Sequence, residues 1–436
     1  MKVYLETYGC QMNEYDSELV ESILIEGGYT LTKYEDEAEV VLLNTCAIRE
    51  NAHRKIHGRL DLISSTKKKK GEATRPIVVG VLGCMAQNLK KELLESKDVN
   101  LVVGPDNYRA LPDLINNIVE TSRPELFASL SEYETYSDIA PVRKEGINAW
   151  IAIMRGCDNF CSFCVVPYTR GRERSRSVAS ILQEARLLVE QGYPQVTLLG
   201  QNVNSYRHEG AVFSDLIAEM AQISGLKRIR FTSPHPKDFP EELLRVISKH
   251  DNICKHIHLP LQAGSDRILS LMNRTYTAHE YLNVVETIRG ILPTATLTTD
   301  IIVGFPTETE NDFQETVQLM NRVKFNNAYI FKYSERKGTT AQRDYPDDVP
   351  EQVKTDRIVR LNTLQSKIAF LKHQHYIGQK VDVLIEGDAD RGIDQQMGKS
   401  DGNLTVVFPK TIFHPGETIP VLITKTTAGT LYGTTI

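Results

Sequence analysis

The chain has 436 residues, 41% hydrophobic and 25% charged, an ordinary globular composition with room for about two to three domains. A formal net charge of −5 excludes nucleic-acid binding as a property of the whole surface, so any such contact must come from local patches. The longest apolar run, Ile77 to Met85, is far below the roughly 18 to 20 residues of a bilayer span, which excludes a spanning helix.

The opening, MKVYLETYGC, has neither the charged nor the apolar region of a signal peptide. A reducing, cytoplasmic location is expected, where seven cysteines serve as ligands or core residues rather than in disulfides. Three apolar, strand-like runs come first: KVYLETYGC, AEVVLLNTC and PIVVGVLGC, closing on Cys10, Cys46 and Cys84. Each precedes a helical pattern: YDSELVESILIEGG, ENAHRKIHGRLDLI or NLKKELLES. Strand–loop–helix units build a parallel sheet through right-handed crossovers, with the carboxyl ends of the strands along one ligand-binding edge. Cysteines at corresponding strand ends, 36 and 38 residues apart, can therefore converge on one cluster. The lysine run Lys67 to Lys70 reads as a loop. This N-terminal α/β domain is assigned residues 1–120.

From Ile147 the pattern changes to six β-rich runs: AWIAIMRGC, QVTLLGQNV, KRIRFTSPHP, HIHLPLQAG, TLTTDIIVGFP and AYIFKYS. Helical stretches such as SVASILQEARLLVEQG and TAHEYLNVVETIRGIL separate them, the first with Ser177 as N-cap and Gly192 as stop. Six β/α repeats describe an open parallel barrel, here residues 143–373, with its site on loops at the carboxyl ends of the strands. The first such loop holds GCDNFCSFC, with Cys157, Cys161 and Cys164 at spacings of four and three. Three thiolates on a tight loop suit a soft metal. A four-cysteine zinc site lacks its fourth ligand, since the next cysteine is Cys254, a core residue. A [4Fe–4S] cluster with one iron free of protein ligands is expected.

Arg170, Arg172, Arg174 and Arg176 alternate after this loop and share one face if the segment is extended, a stripe suited to RNA phosphates. Farther on, PEQVKTDRIVRLNTLQSKIAFLKHQHY reads as a long helix opened by Pro350. Short alternating runs follow, QKVDVLIEG, LTVVFP and TIPVLITKTTAGTLYG, which predict a small all-β barrel over residues 374–436. From Tyr376 onward it has five Lys/Arg and seven Asp/Glu, so it is not basic overall.

CxxxCxxC with Phe163 before its last cysteine resembles the radical S-adenosylmethionine (SAM) family. The resemblance implies that SAM chelates the free iron and that Phe163 lies against its adenine. It also implies SAM contacts at strand ends: Gly200 and Gln201 in GQN, Ser233 and His235 in SPHP, Asp300 and Ile302 in TDIIVGFPTET. Two positions depart from the family pattern: Gln201 replaces a carboxylate, and Asp300 replaces a glycine. YGCQMNEYDSE, LLNTCAIRENA, VLGCMAQ and GCDNFCSFCVVPYTRGRERSR carry a resemblance through nearly the whole chain to the methylthiotransferase family. That family implies an auxiliary [4Fe–4S] cluster on Cys10, Cys46 and Cys84, a radical-SAM barrel and a C-terminal RNA-binding TRAM barrel.

Gln11, Met12 and Asn13 after Cys10 favour its tRNA branch, called MiaB, over the ribosomal-protein branch, which carries proline and lysine there. The tRNA branch attaches a methylthio group to C2 of N6-isopentenyladenosine at tRNA position 37, using two SAM per turnover. An anticodon stem-loop partner, an electron donor such as a flavodoxin or ferredoxin, and a monomeric state are implied with it. Three alternatives stand beside this: action on threonylcarbamoyl-adenosine, action on a ribosomal protein, and a non-enzymatic iron–sulfur carrier. A carrier has no use for six barrel strands with polar ends.

Overall fold

Val40–Thr45 and Val78–Gly83 are buried along their whole length, as uninterrupted apolar runs at the centre of a parallel sheet must be. A computed structural model of the chain describes residues 1–47, 50–70, 77–95, 98–144, 146–389 and 394–436, and within 50–70 the side chains of 54–65. The N-terminal sheet has strands β1 (Lys2–Tyr8), β2 (Thr30–Leu31), β3 (Val40–Thr45), β4 (Val78–Gly83), β5 (Leu101–Val103) and β6 (Glu125–Phe127). All pair parallel in the order β2-β1-β3-β4-β5-β6. The sequence marked three of these; β2, β5 and β6 are two or three residues long, too short to show a period.

The lysine run is not a loop. Helix Glu50–Lys70 continues through Lys67 to Lys70, in keeping with the good helix propensity of lysine. The pattern NLKKELLES divides instead into helices Cys84–Leu89 and Lys91–Leu94, broken at Lys90 where φ is +46°.

The barrel begins with β7 (Asn148–Ala152), followed by the short antiparallel pair β8 (Met154–Arg155) and β9 (Arg174–Ser175). It continues with β10 (Gln195–Leu199), the hairpin β11 (Arg207–His208) and β12 (Ala211–Val212), then β13 (Arg228–Phe231), β14 (His256–His258), β15 (Thr296–Val303) and β16 (Asn327–Lys332). The parallel triplets β7-β10-β13 and β14-β15-β16 are joined by a bridge between Ile229 and Ile253. Among the described residues β7 and β16 do not pair, so the six-stranded barrel is open on that side. Ser177 caps helix Val178–Glu190, accepting from the Ser180 N–H, and Gly192 follows that helix at φ +91°. Aliphatic side chains on the outer face of these strands, including Val196, Leu198, Ile229, Ile257 and Leu297, form one large core with the surrounding helices.

Helix Glu351–Gln374 leads to β17 (Lys380–Asp388), β18 (Gln395–Ser400), β19 (Thr405–Pro409), β20 (Thr418–Thr426) and β21 (Leu431–Thr435), closed in the order β17-β18-β19-β21-β20. The turn after β18 docks on the amino-terminal end of the large barrel. There Arg230 Nη2 donates to Ser400 O at 2.8 Å, and Thr296 Oγ1 donates to Gly402 O at 2.6 Å. Among the described residues no helix is long and apolar enough to cross a membrane.

Candidate functional site

Two groups of cysteines meet at the interface of the N-terminal sheet and the barrel. β1 and β3 pair through Tyr8↔Thr45, and β3 and β4 through Thr45↔Gly83, so Cys10, Cys46 and Cys84 emerge side by side at one sheet edge. Gly83 makes this possible. Its φ is +86°, and a Cβ there would lie 2.5 Å from Asn44 Oδ1 and 2.8 Å from Thr45 O. Cys10 is the N-cap of helix Gln11–Glu26, where free amides favour a thiolate. Hydrogen bonding with Cys46 and the Arg170 charge outweigh burial and lower its pKa to about 6. Burial pushes the Cys84 thiol up, although Arg170 Nε stands 3.1 Å from its sulfur. A buried network anchors the edge: Asn13 Nδ2 donates to Asn44 Oδ1 and to Thr45 O, both at 3.2 Å, and Asn44 Nδ2 donates to Ser17 Oγ at 2.9 Å.

Cys157 follows β8 in a turn that only glycine permits. Gly156 has φ +81°, and a Cβ would sit 2.0 Å from Arg172 O. The loop is pinned to the barrel by Ser162, whose N–H donates to Met272 O at 2.9 Å and whose hydroxyl donates to Leu271 O at 2.7 Å. Burial pushes the Cys157 thiol up to about 12 and raises Cys164 as well. Arg274 Nη1 lies 3.2 Å from Cys161 Sγ, so a guanidinium stands against that sulfur. Val165, next to Cys164, packs with Cys84, so the two groups of cysteines are neighbours through that contact. Among the described residues no three His, Cys, Asp or Glu side chains converge as ligands of a single ion. Cysteines of an iron–sulfur cluster bind different irons, so such convergence is not required of them. Soft donors, adjacent guanidiniums and the absence of disulfides among all seven cysteines fit two clusters.

The arginine stripe is corrected by the structure. Arg170, Arg174 and Arg176 are buried and ion-paired, so they offer no face to phosphate. Arg170 Nη2 bonds Asp16 Oδ2 at 2.8 Å, Arg174 Nη2 bonds Asp106 Oδ1 at 2.9 Å, and Arg176 Nη1 bonds Glu184 Oε2 at 2.5 Å. Asp16 also binds Arg155 Nη2 at 2.7 Å. The segment is not extended throughout: Val166–Arg170 is helical, Asp16 and Asp106 of the N-terminal domain neutralise Arg170 and Arg174, and Glu184 of the barrel neutralises Arg176. Arg172 alone of the four faces solvent. Its side chain is 67% exposed, and its guanidinium lies 5.0 Å over the Phe160 ring.

The expected SAM contacts divide similarly. Gly200 and Gln201 follow β10, Ser233 and His235 follow β13, and Ile302 lies near the end of β15, all on the cysteine side of the barrel. Phe163 packs at the margin of the barrel core. Among the described residues Gln201 Oε1 is buried without a hydrogen-bond partner. Ser233 adopts φ +57°, and the His235 N–H donates to Asn204 Oδ1 at 2.7 Å. Asp300 is different. It sits mid-strand in β15, and its carboxylate accepts from His258 Nε2 at 3.3 Å. Arg274 and Asp16 were not found from the sequence as site residues. Cys161 lies 113 residues from Arg274, and Arg155 and Arg170 lie 139 and 154 residues from Asp16, so no local spacing marks them.

Residues 151–320 match the radical SAM superfamily, residues 374–436 the TRAM domain, and residues 2–104 an uncharacterized protein family, UPF0004. A tRNA-2-methylthio-N(6)-dimethylallyladenosine synthase of Azobacteroides pseudotrichonymphae is 48% identical over 99% of this chain and 96% of its own length. The chain belongs to this synthase family. A Porphyromonas gingivalis synthase of the same name is 47% identical over 99% of the chain and 94% of its own length. Among solved structures, the radical SAM methyltransferase TsrM of Kitasatospora setae superposes with a TM-score of 0.60 at 15% identity, covering 78% of this chain and 74% of TsrM. The cobalamin-dependent radical enzyme OxsB does so at 0.53 and 13%, covering 85% and 62%. At those identities the likeness shows the fold alone. The family membership and the barrel agree with the fold class expected from the sequence.

Proposed function

We propose that the chain transfers a methylthio group to C2 of N6-dimethylallyladenosine at position 37 of tRNA. The observation that carries this reading is the meeting of two cysteine triads, each at a strand-end edge of its own sheet, across one interface crossed by Arg170 and Val165. Cys157, Cys161 and Cys164 hold the barrel cluster; Phe163, Gly200, Gln201, Ser233, His235 and Ile302 form the SAM rim; Cys10, Cys46 and Cys84 hold the auxiliary cluster. When bound, the clusters and SAM supply a radical able to break an aromatic C–H bond, a methyl group and a transferable sulfur, none of which side chains provide.

The residues contribute position and charge. Gln201 keeps its buried acceptor for a cofactor donor, and Arg170 keeps Nη1, buried and without a partner, beside Cys84. The target base leaves its stack to reach the interface. The same reading gives a cytoplasmic monomer reduced by a flavodoxin- or ferredoxin-type donor. Mass spectrometry of tRNA nucleosides from a strain lacking the synthase, complemented with this chain, should recover 2-methylthio-N6-isopentenyladenosine. Methylthiolation of threonylcarbamoyl-adenosine instead would overturn the substrate assignment.

Replacing Cys10, Cys46 and Cys84 together by alanine should leave SAM cleavage to 5′-deoxyadenosine intact and abolish the methylthio product. Product at the unsubstituted rate would remove the auxiliary site from the reaction. Arg172→Ala should lower the slope of log affinity against log salt by about 0.7 to 0.9, the loss of one phosphate contact, with iron content unchanged. Filter binding across a salt series reads this directly, and an unchanged slope places the RNA elsewhere.

A further inference from the structure

The barrel lumen is polar, closed at one end and edged with exposed aromatic side chains. Alternation along the strands sends Val196, Leu198, Ile229, Ile257, Leu297, Ile301 and Ala328 outward into the core. The alternate residues, Gln195, Thr197, Arg230, His256, His258, Thr298, Asp300 and Tyr329, point inward. Arg230, held by Gln195 Oε1 at 3.1 Å and by Ser400 O and Asp401 O at 2.8 and 3.1 Å, closes the amino-terminal end with the C-terminal barrel. On the unpaired side, Tyr329 and Phe331 of β16 are about half exposed.

Above Arg230 runs a chain of hydrogen bonds: His256 Nε2 to Thr298 Oγ1 at 3.0 Å, Thr298 Oγ1 to His258 Nδ1 at 3.0 Å, and His258 Nε2 to Asp300 Oδ2 at 3.3 Å. Its polarity follows from chemistry. A carboxylate only accepts, so the hydrogen between His258 and Asp300 is carried on His258 Nε2, and in the neutral ring Nδ1 then accepts from the Thr298 hydroxyl. Thr298 in turn accepts from His256 Nε2–H, and burial keeps His256 neutral. With His258 neutral, every donor in the chain points toward Asp300. His258 supplies the one hydrogen bond on that carboxylate among the described residues, and the side chain is 31% exposed. Across the β15–β16 register, Asp300 faces Tyr329, which is 50% exposed with its ring 6.0 Å from His258. Asp300 is two residues below Ile302 of the SAM rim, about 6.6 Å along the strand.

An oriented acceptor beside an exposed aromatic face suits a flat base bearing an exocyclic N–H. We infer that Asp300, oriented by the His256–Thr298–His258 chain, accepts the N6–H of the substrate adenine while Tyr329 covers the ring. This assigns Asp300 to the substrate rather than to SAM, and it rests on the tRNA reading above. A base with two alkyl groups on N6 has no such hydrogen and leaves the acceptor unpaired, which costs about tenfold in affinity.

Two anticodon stem-loop RNAs test this, one with N6-isopentenyladenosine and one with an added N6-methyl group. The unsubstituted chain should bind the first about tenfold tighter. In Asp300→Asn the amide oxygen accepts from His258 and turns its NH2 toward the base, so the preference should disappear or reverse. Asp300→Ala should equalise the two RNAs, and Tyr329→Ala should weaken both by one factor. SAM affinity, measured separately by equilibrium dialysis, should stay unchanged in Asp300→Asn and Asp300→Ala. A tenfold preference retained in both Asp300 variants, or a loss of SAM affinity in them, overturns the inference alone. An unsubstituted chain that does not bind the isopentenyl loop overturns it together with the tRNA reading.

Discussion

Replacing Cys157, Cys161 and Cys164 together by alanine should abolish formation of 5′-deoxyadenosine from SAM and remove about half of the bound iron, since one of two clusters loses every protein ligand. No other thiol can substitute. Cys10, Cys46 and Cys84 are held by the N-terminal sheet edge, where the Asn13–Asn44 network and Gly83 fix their placement. Cys254 is buried at the opposite end of the barrel, beside Arg230 and Asp401. The surrounding loop should survive the change, because Ser162 and the Cys157 backbone N–H, not the thiols, tie it to Leu271, Met272 and Gly171 O. Iron content and SAM cleavage can therefore be read on a folded chain. Continued 5′-deoxyadenosine formation, or loss of all the iron, would show that the two triads do not hold separate clusters.

Chemistry was legible in the sequence wherever it lies within one loop or repeats from strand to strand. The spacing of Cys157, Cys161 and Cys164 is local, and Cys10, Cys46 and Cys84 follow three successive strand runs that the structure places in adjacent register. Strands such as β3 and β4 were legible because each carries an apolar run of four or more residues counting glycine, whereas β5, three residues long, has no pattern to read. The arginines failed for a physical reason. A run of alternating charge looks the same whether it faces solvent or buried acids, and the acids that decide it, Asp16 and Asp106, come from another domain, 154 and 68 residues from their arginines. The setting of Asp300 was illegible for a related reason. Its place at mid-strand, and the histidine that faces it from β14, depend on pairing 42 residues apart.

Asp16→Ala should destabilise the chain by about 3 to 5 kcal/mol, because it leaves two buried guanidiniums without their carboxylate. Asp16 is fully buried, and the Arg155 and Arg170 side chains are 1% and 4% exposed. Arg155 has little else to fall back on: among the described residues its Nε and Nη1 are without hydrogen-bond partners, which leaves the Tyr136 ring, 4.7 Å from its guanidinium, and the charge of Asp106. Burial alone would raise the Asp16 pKa, but the charges of Arg155 and Arg170 outweigh it and hold the carboxyl below its ordinary range. The sign of the pH dependence follows. A depressed carboxylate stabilises fully above its unfolded pKa, about 3.9, and that contribution is lost as pH falls through the lower folded value. Denaturant midpoints should therefore differ most near neutrality, and the gap between the unsubstituted chain and Asp16→Ala should close only in strong acid. Asp16→Asn, which keeps the hydrogen-bonding shape but not the charge, should fall between them. Because Arg170 links Asp16 to Cys84, its release should also loosen the N-terminal cysteines, so the first iron lost from Asp16→Ala should be the auxiliary cluster while SAM cleavage persists. An unchanged midpoint at neutral pH would mean that the ion pair contributes nothing to joining the two domains.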